Sequence, residues 1–506
     1  MLGQPPRLPS EASAGRAAAL TILAFLALRL ATSAATPLIA DEAYAVVVTR
    51  FPTLSYFDHP PLGFDFARLA AWLFGSEAPF VVRLPHVLMG ALSGWLLFLL
   101  TRRAFGARAG FWAVAAYSVA PFFFVSASQF AVPDGPLNLF LLLTLWLVLP
   151  DLVEDGPPRR QRWLLAGLSL AAALLSKYTA VLFGLGAFVV LATTPRGRRL
   201  LASPWPWLAG AIALAGMAPV LAWNLDNDWA SFGFQSGRAV SASAHAGTFL
   251  LVQLGQALFL LPWIWVLALW VIWRGLARPQ EAAERIFAIL AAIPVLLFDA
   301  VSVFSSEPLA HWAMPGFLFA FPLVGKWCAG MPGKALRLAA GGSAALVVLL
   351  AVLAAAQMSD RFAGWPFRLP PGGGFDWTVL SWNALERDFG ERGILAGGDA
   401  YLLPASWLIG GKAGTALGPG LPVAPPVADP RHFAYMHDPR LASRHTGYAV
   451  TAAWPRDVAA AKAELAAMID AARAPAYRPV GEPWIVTETR NGEAVFDIVV
   501  QQIERR

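Results

Sequence analysis

Long apolar runs separated by short polar loops make up the first 357 residues of the chain. A helix that crosses the hydrocarbon layer of a membrane needs about 20 consecutive, mostly apolar residues. The pattern therefore predicts about eleven membrane-spanning helices, at residues 17–38, 79–101, 107–127, 134–150, 162–176, 178–194, 205–223, 249–273, 284–303, 311–328 and 335–357.

The polar loops between these runs alternate in charge. One set is basic and contains Arg102, Arg103, Arg108, Arg159, Arg160, Arg162, Arg196, Arg198, Arg199, Arg274, Arg278, Arg285, Lys326, Lys334 and Arg337. The other set carries acids and few cations, with Asp41, Glu42, Asp58, Asp65, Glu77, Asp134, Asp226, Asp228 and Glu307. Because short cytoplasmic loops are rich in Lys and Arg, the acidic loops and the C-terminal region are predicted to face outward.

The first apolar run has an alternative interpretation as a cleaved signal peptide. Small residues at 31–36 are typical of a cleavage site, but the run is longer than the apolar core of such a peptide. We therefore predict a retained first helix. In the loop that follows, a helix is predicted from Glu42 to Arg50, and helical spacing from Pro61 to Phe74 predicts an amphipathic helix in the membrane interface.

Beyond residue 357 the pattern changes to a small α/β domain, residues 358–506, after a transmembrane domain at 1–357. Leu369 to Gly374 is rich in proline and glycine and predicts a linker. Helix signals alternate with apolar runs that predict strands. The helices are Trp382 to Phe389 and Asp457 to Ala472, the strands are Ile394 to Ala396, Trp484 to Thr487 and Ala494 to Val500, and Asn491-Gly492 predicts a hairpin turn.

Composition supports a multi-span membrane protein. The 506 residues are 57% hydrophobic and 14% charged, with 21 tryptophans, and the mean hydropathy is +0.56. The net charge of +6 is spread over many loops, so it indicates a membrane partner and no nucleic acid. Cys328 is the single cysteine, which excludes an intramolecular disulfide and a thiolate metal cluster.

Candidate chemistry begins with Asp41 and Glu42, directly after the first apolar run. Acids at a membrane boundary cost several kcal/mol unless they are paired, so they indicate a functional site. The alternative is that they only begin a helix, since acids are favourable at helix N-termini. The same outer loop continues with Tyr56, Asp58 and His59, followed by two prolines.

Three further polar residues stand at the edges of apolar runs. Asp134 lies between Pro133 and Pro136 and either belongs to a site or caps the following helix. Lys177 lies in an apolar sequence and either meets an anionic ligand or extends its ammonium to the interface. His311 either binds a ligand or packs.

These motifs together resemble one family of enzymes. They are Asp41-Glu42, Tyr56 to Leu62, Pro133 to Leu137, Leu175 to Thr179, Trp223 to Trp229 and His311 to Pro315. The set resembles the bacterial branch of the protein O-mannosyltransferase superfamily, especially the lipid A aminoarabinose transferases and the rhizobial lipopolysaccharide galacturonosyltransferases. The resemblance covers roughly residues 15–330. It implies the GT-C fold, with interfacial helices in the first periplasmic loop, and a polyprenyl-phosphate-linked sugar as donor.

The resemblance implies roles for individual residues. Asp41 is the expected general base, and Glu42 assists it or helps to bind a divalent cation, Mg²⁺ or Mn²⁺. Lys177 and His59 are the expected phosphate ligands, while Asp134 positions the acceptor or the His59 side chain. Tyr56, Asp58 and His311 complete the expected substrate site. One departure is that the aminoarabinose branch has a lysine at the place of His59, which puts that sugar specificity in doubt.

The expected function is inverting transfer of a sugar to an envelope glycolipid, lipid A or lipopolysaccharide core, in the bacterial inner membrane, with the active-site loop and the C-terminal domain periplasmic. A uronic acid sugar requires a cation, for which Arg238, Arg83 and Arg68 are candidates. Two alternatives remain: a protein O-mannosyltransferase acting on exported polypeptides, and a transporter or flippase without chemistry. Transporters often contain inverted repeats, whereas here the polar residues gather at one face.

Overall fold

The computed structural model describes residues 11–239, 246–305, 308–359, 377–454, 457–471, 477–490 and 492–505. The chain forms two compact units. Unit 1 contains Met1–Leu30, Leu54–Gly63 and Leu84–Leu349. Unit 2 contains Ala31–Thr53, Phe64–Arg83 and Leu350–Arg506. The sequence-based division at 357/358 stays a prediction about independently folding domains.

The apolar runs fold as α-helices, because a helix satisfies its own backbone hydrogen bonds where no water is present. The described helices in this part of the chain are α1 Glu11–Ala35, α2 Ala40–Thr49, α3 Leu62–Phe74, α4 Pro79–Phe105, α5 Ala107–Val119, α6 Pro121–Phe124, α7 Asp134–Val153, α8 Arg160–Ser176, α9 Ala180–Thr193, α10 Pro195–Leu201, α11 Trp205–Ala215, α12 Ala218–Asp226, α13 Ala230–Ala239, α14 Ala246–Leu260, α15 Pro262–Ala277, α16 Ala282–Phe304, α17 Met314–Ala329 and α18 Gly333–Met358. A 3₁₀ turn at Ala310–Ala313 precedes α17.

Six helical stretches of the described chain have the length and apolar character needed to cross a membrane, and two bent pairs bring the number to at most eight. Every predicted apolar interval contains helix, but the count of eleven membrane crossings stays a prediction. The interval 249–273 is corrected, since α14 and α15 meet at an angle of 104°. The bend lies at Leu261, which has a φ of 70°, followed by Pro262 at the start of α15.

Small residues set the packing distance between helices in unit 1. A Cβ added to Gly325 of α17 would stand 2.3 Å from the backbone oxygen of Ala109 in α5. A Cβ on Gly167 of α8 would stand 2.7 Å from the backbone oxygen of Ala209 in α11. Such close backbone approach is typical of helices packed within membranes.

Unit 2 contains a five-stranded sheet. Its strands are β1 Ala400–Pro404, β2 Thr446–Ala453, β3 Tyr477–Pro479, β4 Trp484–Arg490 and β5 Glu493–Arg505. β1 pairs with β2 in parallel, and β2, β3 and β4 each pair with β5 antiparallel. Its further helices are α19 Asn383–Glu391, α20 Trp407–Ala416 and α21 Val458–Ala471. Leu465 of α21 and Val499 of β5 share a buried apolar core.

The helices predicted near the first loop are confirmed as α2 and α3, and those predicted in the C-terminal region as α19 and α21. The last two predicted strands are β4 and β5, and Arg490 at the end of β4 pairs with Glu493 at the start of β5. Asn491 of the predicted hairpin turn lies outside the described residues. The strand predicted at Ile394 to Ala396 is wrong, because these residues form turns before β1. The predicted linker from Leu369 to Gly374 lies outside the described residues.

Candidate active site

The loop from Tyr56 to Gly63 in unit 1 is held by helix α13. Ser231 donates its hydroxyl to the backbone oxygen of Tyr56 over 3.1 Å, and Gln235 donates its amide to the backbone oxygen of Asp58 over 2.7 Å. The rings of Phe57 and Phe234 pack at 4.8 Å between centroids. Tyr56 and Asp58 are buried, so these two side chains support the loop from within.

Gly63 brings this loop against two other predicted motifs. A Cβ at Gly63 would stand 2.9 Å from the Pro133 side chain and 3.0 Å from the backbone oxygen of Ser176. The motif around His59 therefore packs against the start of α7, where Asp134 lies, and against the end of α8, where Lys177 follows. The structure thus brings three of the sequence motifs together within unit 1.

Asp134 and Lys177 form a buried ion pair. The Lys177 ammonium donates to both carboxylate oxygens of Asp134, over 2.8 and 2.9 Å. The two residues are 5% and 7% exposed, respectively. His59 and His311 lie close enough to interact electrostatically with the Asp134 carboxylate. An ammonium has three N–H donors, so the pair leaves one of them for a ligand.

Glu42 of unit 2 forms an ion pair with Arg83. Arg83 donates Nε and Nη2 to the two carboxylate oxygens of Glu42, over 2.8 and 2.5 Å. The backbone N–H of Ile39 also donates to Glu42, over 3.1 Å. Glu42 and Arg83 are both fully buried. A two-pronged arginine–carboxylate pair is geometrically specific, so Glu42 fixes the start of α2.

Arg83 also holds the chain that leads into α2. Its guanidinium donates to the backbone oxygen and the hydroxyl of Thr36, over 3.0 and 2.8 Å. It donates further to the backbone oxygen of Pro37, over 2.7 Å. These bonds hold Thr36 and Pro37, and with them the short segment before Asp41, against the beginning of α4.

Asp41 differs from its neighbour because it retains an exposed surface. The surrounding protein raises the pKa of the Asp41 carboxyl above its ordinary value, and the adjacent Glu42 carboxylate raises this pKa further. Asp41 is therefore a stronger base than an ordinary surface aspartate when it is ionised.

Lys412 of α20 lies behind α2. It is 4% exposed and donates to the backbone oxygen of Leu38 over 2.6 Å. Burial lowers the pKa of Lys412 to about 7, with Glu42 opposing and Arg83 adding to the shift. The two helices touch closely, since a Cβ at Gly411 would stand 2.5 Å from the backbone nitrogen of Tyr44.

The chain was compared with known proteins. Residues 58–223 match the sequence model of the dolichyl-phosphate-mannose-protein mannosyltransferase family. The lipid A galacturonosyltransferase RgtD of Rhizobium johnstonii is 25% identical over 339 residues, which are 63% of this chain and 67% of that protein. Crystal structures of ArnT from Cupriavidus metallidurans, in the apo state and bound to undecaprenyl phosphate, superpose with TM-scores of 0.64 and 0.63. They are 15% and 16% identical, and each alignment covers 95% of this chain and 97% of ArnT.

The chain has the fold of a GT-C glycosyltransferase. This confirms the resemblance inferred from the motifs, and the superposition extends beyond residue 330 into the C-terminal sheet domain. The comparisons do not assign individual site residues, so the roles given to them stay predictions.

The three arginines predicted to bind a sugar carboxylate have different environments in this structure. Arg83 is fully buried and bound to Glu42, so it has no surface for a ligand. Arg68 forms a partly exposed ion pair with Asp65 on α3. Arg238 lies in α13, and its side chain falls outside the described part of the structure, as does all of Glu307.

The residues described do not fit the predicted divalent cation. Both oxygens of Glu42 are taken by Arg83, and in the described chain no three His, Cys, Asp or Glu side chains gather as metal ligands. The sequence analysis missed the role of Arg83 as the partner of Glu42, and it missed Lys412 altogether. Arg83 lies 41 residues beyond Glu42 in the chain, and Lys412 has the sequence signal of a lysine in a glycine-rich apolar helix.

Proposed function

We propose that this chain is an integral membrane glycosyltransferase that moves a sugar from a polyprenyl-phosphate donor to an envelope glycolipid, lipid A or lipopolysaccharide core. The observation that carries the proposal is Asp41, an accessible carboxylate with a raised pKa, at the start of a helix that Arg83 fixes. The names of two similar proteins support the substrates, since RgtD acts on lipid A and ArnT binds undecaprenyl phosphate.

Asp41 acts as the general base in this mechanism. It takes the proton from an acceptor hydroxyl while that oxygen attacks the anomeric carbon of the donor sugar. The bond between the anomeric carbon and the phosphate oxygen breaks, and the electron pair leaves with the polyprenyl phosphate. Attack opposite to the leaving group inverts the anomeric configuration. A phosphate leaves as a stable anion, so one base and a stabilised leaving group suffice.

Lys177 stabilises the phosphate with the N–H that Asp134 does not use. Asp134 holds the ammonium in place through two hydrogen bonds. His59 and His311 lie within electrostatic reach of this pair and are the further candidates to contact the phosphate. In this assignment the buried side chains of Tyr56 and Asp58 support the loop that carries His59, rather than touch the sugar.

Glu42 is a positioning residue in this proposal. Its carboxylate is buried and fixed by Arg83, so it orients α2 and raises the pKa of Asp41 through its charge. No step of the mechanism passes through a divalent cation. The protein acts from the bacterial inner membrane, with the first loop and the C-terminal domain on the periplasmic side.

The test is sugar transfer by the purified protein in liposomes that contain a polyprenyl-phosphate-linked sugar and lipid A. Mass spectrometry should detect lipid A carrying one added sugar, together with free polyprenyl phosphate. Movement of the donor across the bilayer without a new glycoside would contradict the proposal and favour a flippase.

A protein acceptor is the second candidate, because the matching family model describes protein mannosyltransferases. Adding a Ser- and Thr-containing peptide beside lipid A in the same assay separates the two. Sugar on the peptide and none on lipid A would replace the glycolipid acceptor with an exported polypeptide.

Lys177→Met should weaken donor binding more than acceptor binding, because the ammonium that faces the phosphate is lost. Charge-assisted hydrogen bonds are worth about 1.5–3 kcal/mol, so we expect the dissociation constant for a polyprenyl phosphate to rise about tenfold or more. Lys177→Arg, which keeps the charge, is the control. An unchanged affinity in a fluorescence titration of Lys177→Met would reject the phosphate role.

A further inference from the structure

A cavity of about 460 Å³ lies between helices α7, α8, α9 and α11 of unit 1. Its wall is almost entirely apolar, and the hydroxyl of its one threonine, Thr144, donates to the backbone oxygen of Phe140 in its own helix. Phe188, Trp207 and Leu214 line it and are 50, 58 and 70% exposed, respectively. The cavity therefore opens on the outer surface of unit 1, where membrane lipid is available.

A basic rim borders one end of the cavity. Helices α9 and α10 meet at 105°, so α10 lies across the end of α9. Leu201 of α10 lines the cavity, while Arg198 and Arg199 on the same helix are exposed. Arg160 begins α8 one turn before Trp163, another lining residue, and is also exposed. We call Arg160, Arg198 and Arg199 the basic rim.

Two acids near the basic rim, Asp151 and Glu154, interact with residues outside it. Asp151 accepts hydrogen bonds from the guanidinium of Arg162, over 3.1 Å, and from the indole of Trp163, over 3.0 Å. Glu154 pairs with Arg103. Asp155 is exposed and is the remaining acid in this loop. Among the described residues, no carboxylate forms an ion pair with any member of the basic rim.

We propose that this end of unit 1 binds one anionic diacyl phospholipid, with its phosphate on the basic rim and one acyl chain in the cavity. The apolar cavity matches an acyl chain, and the basic rim at its mouth matches the phosphate of the same lipid. Basic pockets between membrane helices are typical sites for anionic headgroups. The tail of a polyprenyl phosphate fits less well. The phosphate of that lipid belongs near Lys177, at the far end of α8, about 25 Å away by helix rise, and its tail carries no charge for the arginines.

Native mass spectrometry of the full-length protein in detergent tests this site. Phosphatidylglycerol and phosphatidylcholine with the same acyl chains are titrated separately. The wild type should bind one phosphatidylglycerol more tightly than phosphatidylcholine. The double variant Arg198→Gln with Arg199→Gln should lose about fivefold in phosphatidylglycerol affinity per arginine. The control pair Lys334→Gln with Arg337→Gln, both exposed on α18, should leave the affinity unchanged.

A second set of variants tests the cavity itself. A Cβ at Gly184 or Gly210 meets no atom within 4 Å, and both residues line the cavity, so Gly184→Leu and Gly210→Leu fill it without a backbone clash. Both should weaken the two lipids alike. Gly341→Leu is the matched control, because Gly341 is equally open and lies on α18 outside the cavity.

Three results would overturn the proposal. The first is equal binding of the two phospholipids by the wild type, and the second is unchanged binding in the filled cavity. The third is recovery of polyprenyl phosphate, rather than phospholipid, as the lipid that the cavity variants lose. Unfolding midpoints of all variants, measured in the same detergent, show whether each one is folded, and sugar transfer is measured separately because the lipid site does not depend on it.

Discussion

Two neighbouring acids, Asp41 and Glu42, have opposite environments in the folded chain. Consecutive helical residues point to different faces of the helix, so Glu42 enters the interior of unit 2 while Asp41 keeps an exposed surface. The sequence predicted that both acids follow the first apolar run. It did not predict their different environments, because Arg83, the partner of Glu42, lies 41 residues further along the chain.

Arg83→Met should destabilise the protein by about 3–5 kcal/mol, because it leaves the Glu42 carboxylate buried without its partner. Chemical denaturation in detergent, followed by intrinsic fluorescence, measures the change. Arg68→Met is the control, since the partly exposed Arg68–Asp65 pair contributes about 0–1 kcal/mol. The double variant Glu42→Met with Arg83→Met should recover part of the loss. A single variant as stable as the control would disprove the structural role of the pair.

Lys412 should make stability depend on pH. Its pKa is about 7 in the folded protein against an ordinary value of 10.5, so between these values the unfolded chain binds the extra proton. Its contribution is therefore least favourable below pH 7 and improves as pH rises towards 10.5. The largest slope from one proton is about 1.4 kcal/mol per pH unit.

Lys412→Met should remove this contribution. The wild type and the variant are compared by denaturation midpoints from pH 6 to pH 10, and the difference between them should shrink steadily above pH 7. Lys462→Met, at a partly exposed position on α21, is the control. Its denaturation midpoint should change with pH in parallel with that of the wild type. Parallel curves for Lys412→Met as well would show that Lys412 is not buried as described.

At the scale of helices and strands, the sequence predicted those elements whose own residues show a clear pattern of polar and apolar positions. The amphipathic helix α3 and the apolar strands β4 and β5 are examples. β1 was missed because all five of its residues are buried, so it shows no alternation of polar and apolar positions. The bend at Leu261 was missed because the apolar run continues through it.

The contact between α5 and α17 depends on Gly325. Gly325→Ala should destabilise the protein by about 1–3 kcal/mol, because the added methyl group would overlap the backbone of Ala109 and force the helices apart. Gly341→Ala, in an open part of α18, should be neutral or slightly stabilising because alanine favours a helix. Thermal unfolding in one detergent compares them. Equal midpoints would contradict the close approach of these helices.

At the scale of the whole molecule, the compact units do not follow the order of the sequence. Residues 31–53 and 64–83 belong with the C-terminal sheet in unit 2, while the segment between them belongs to unit 1. No local sequence pattern shows that these distant segments belong to the same unit. The set of sequence motifs nevertheless predicted the fold that the chain shares with ArnT.

Asp41→Asn is the most direct test of the proposed chemistry. The liposome transfer assay is run with wild type, Asp41→Asn and Asp65→Asn, a control that removes a partly exposed acid from α3. The amide keeps the shape of Asp41 and cannot accept the proton. The account predicts a loss of about 10²–10⁴-fold in turnover for Asp41→Asn, with unchanged donor binding and near-normal turnover for Asp65→Asn. Turnover by folded Asp41→Asn within a few fold of wild type would contradict it.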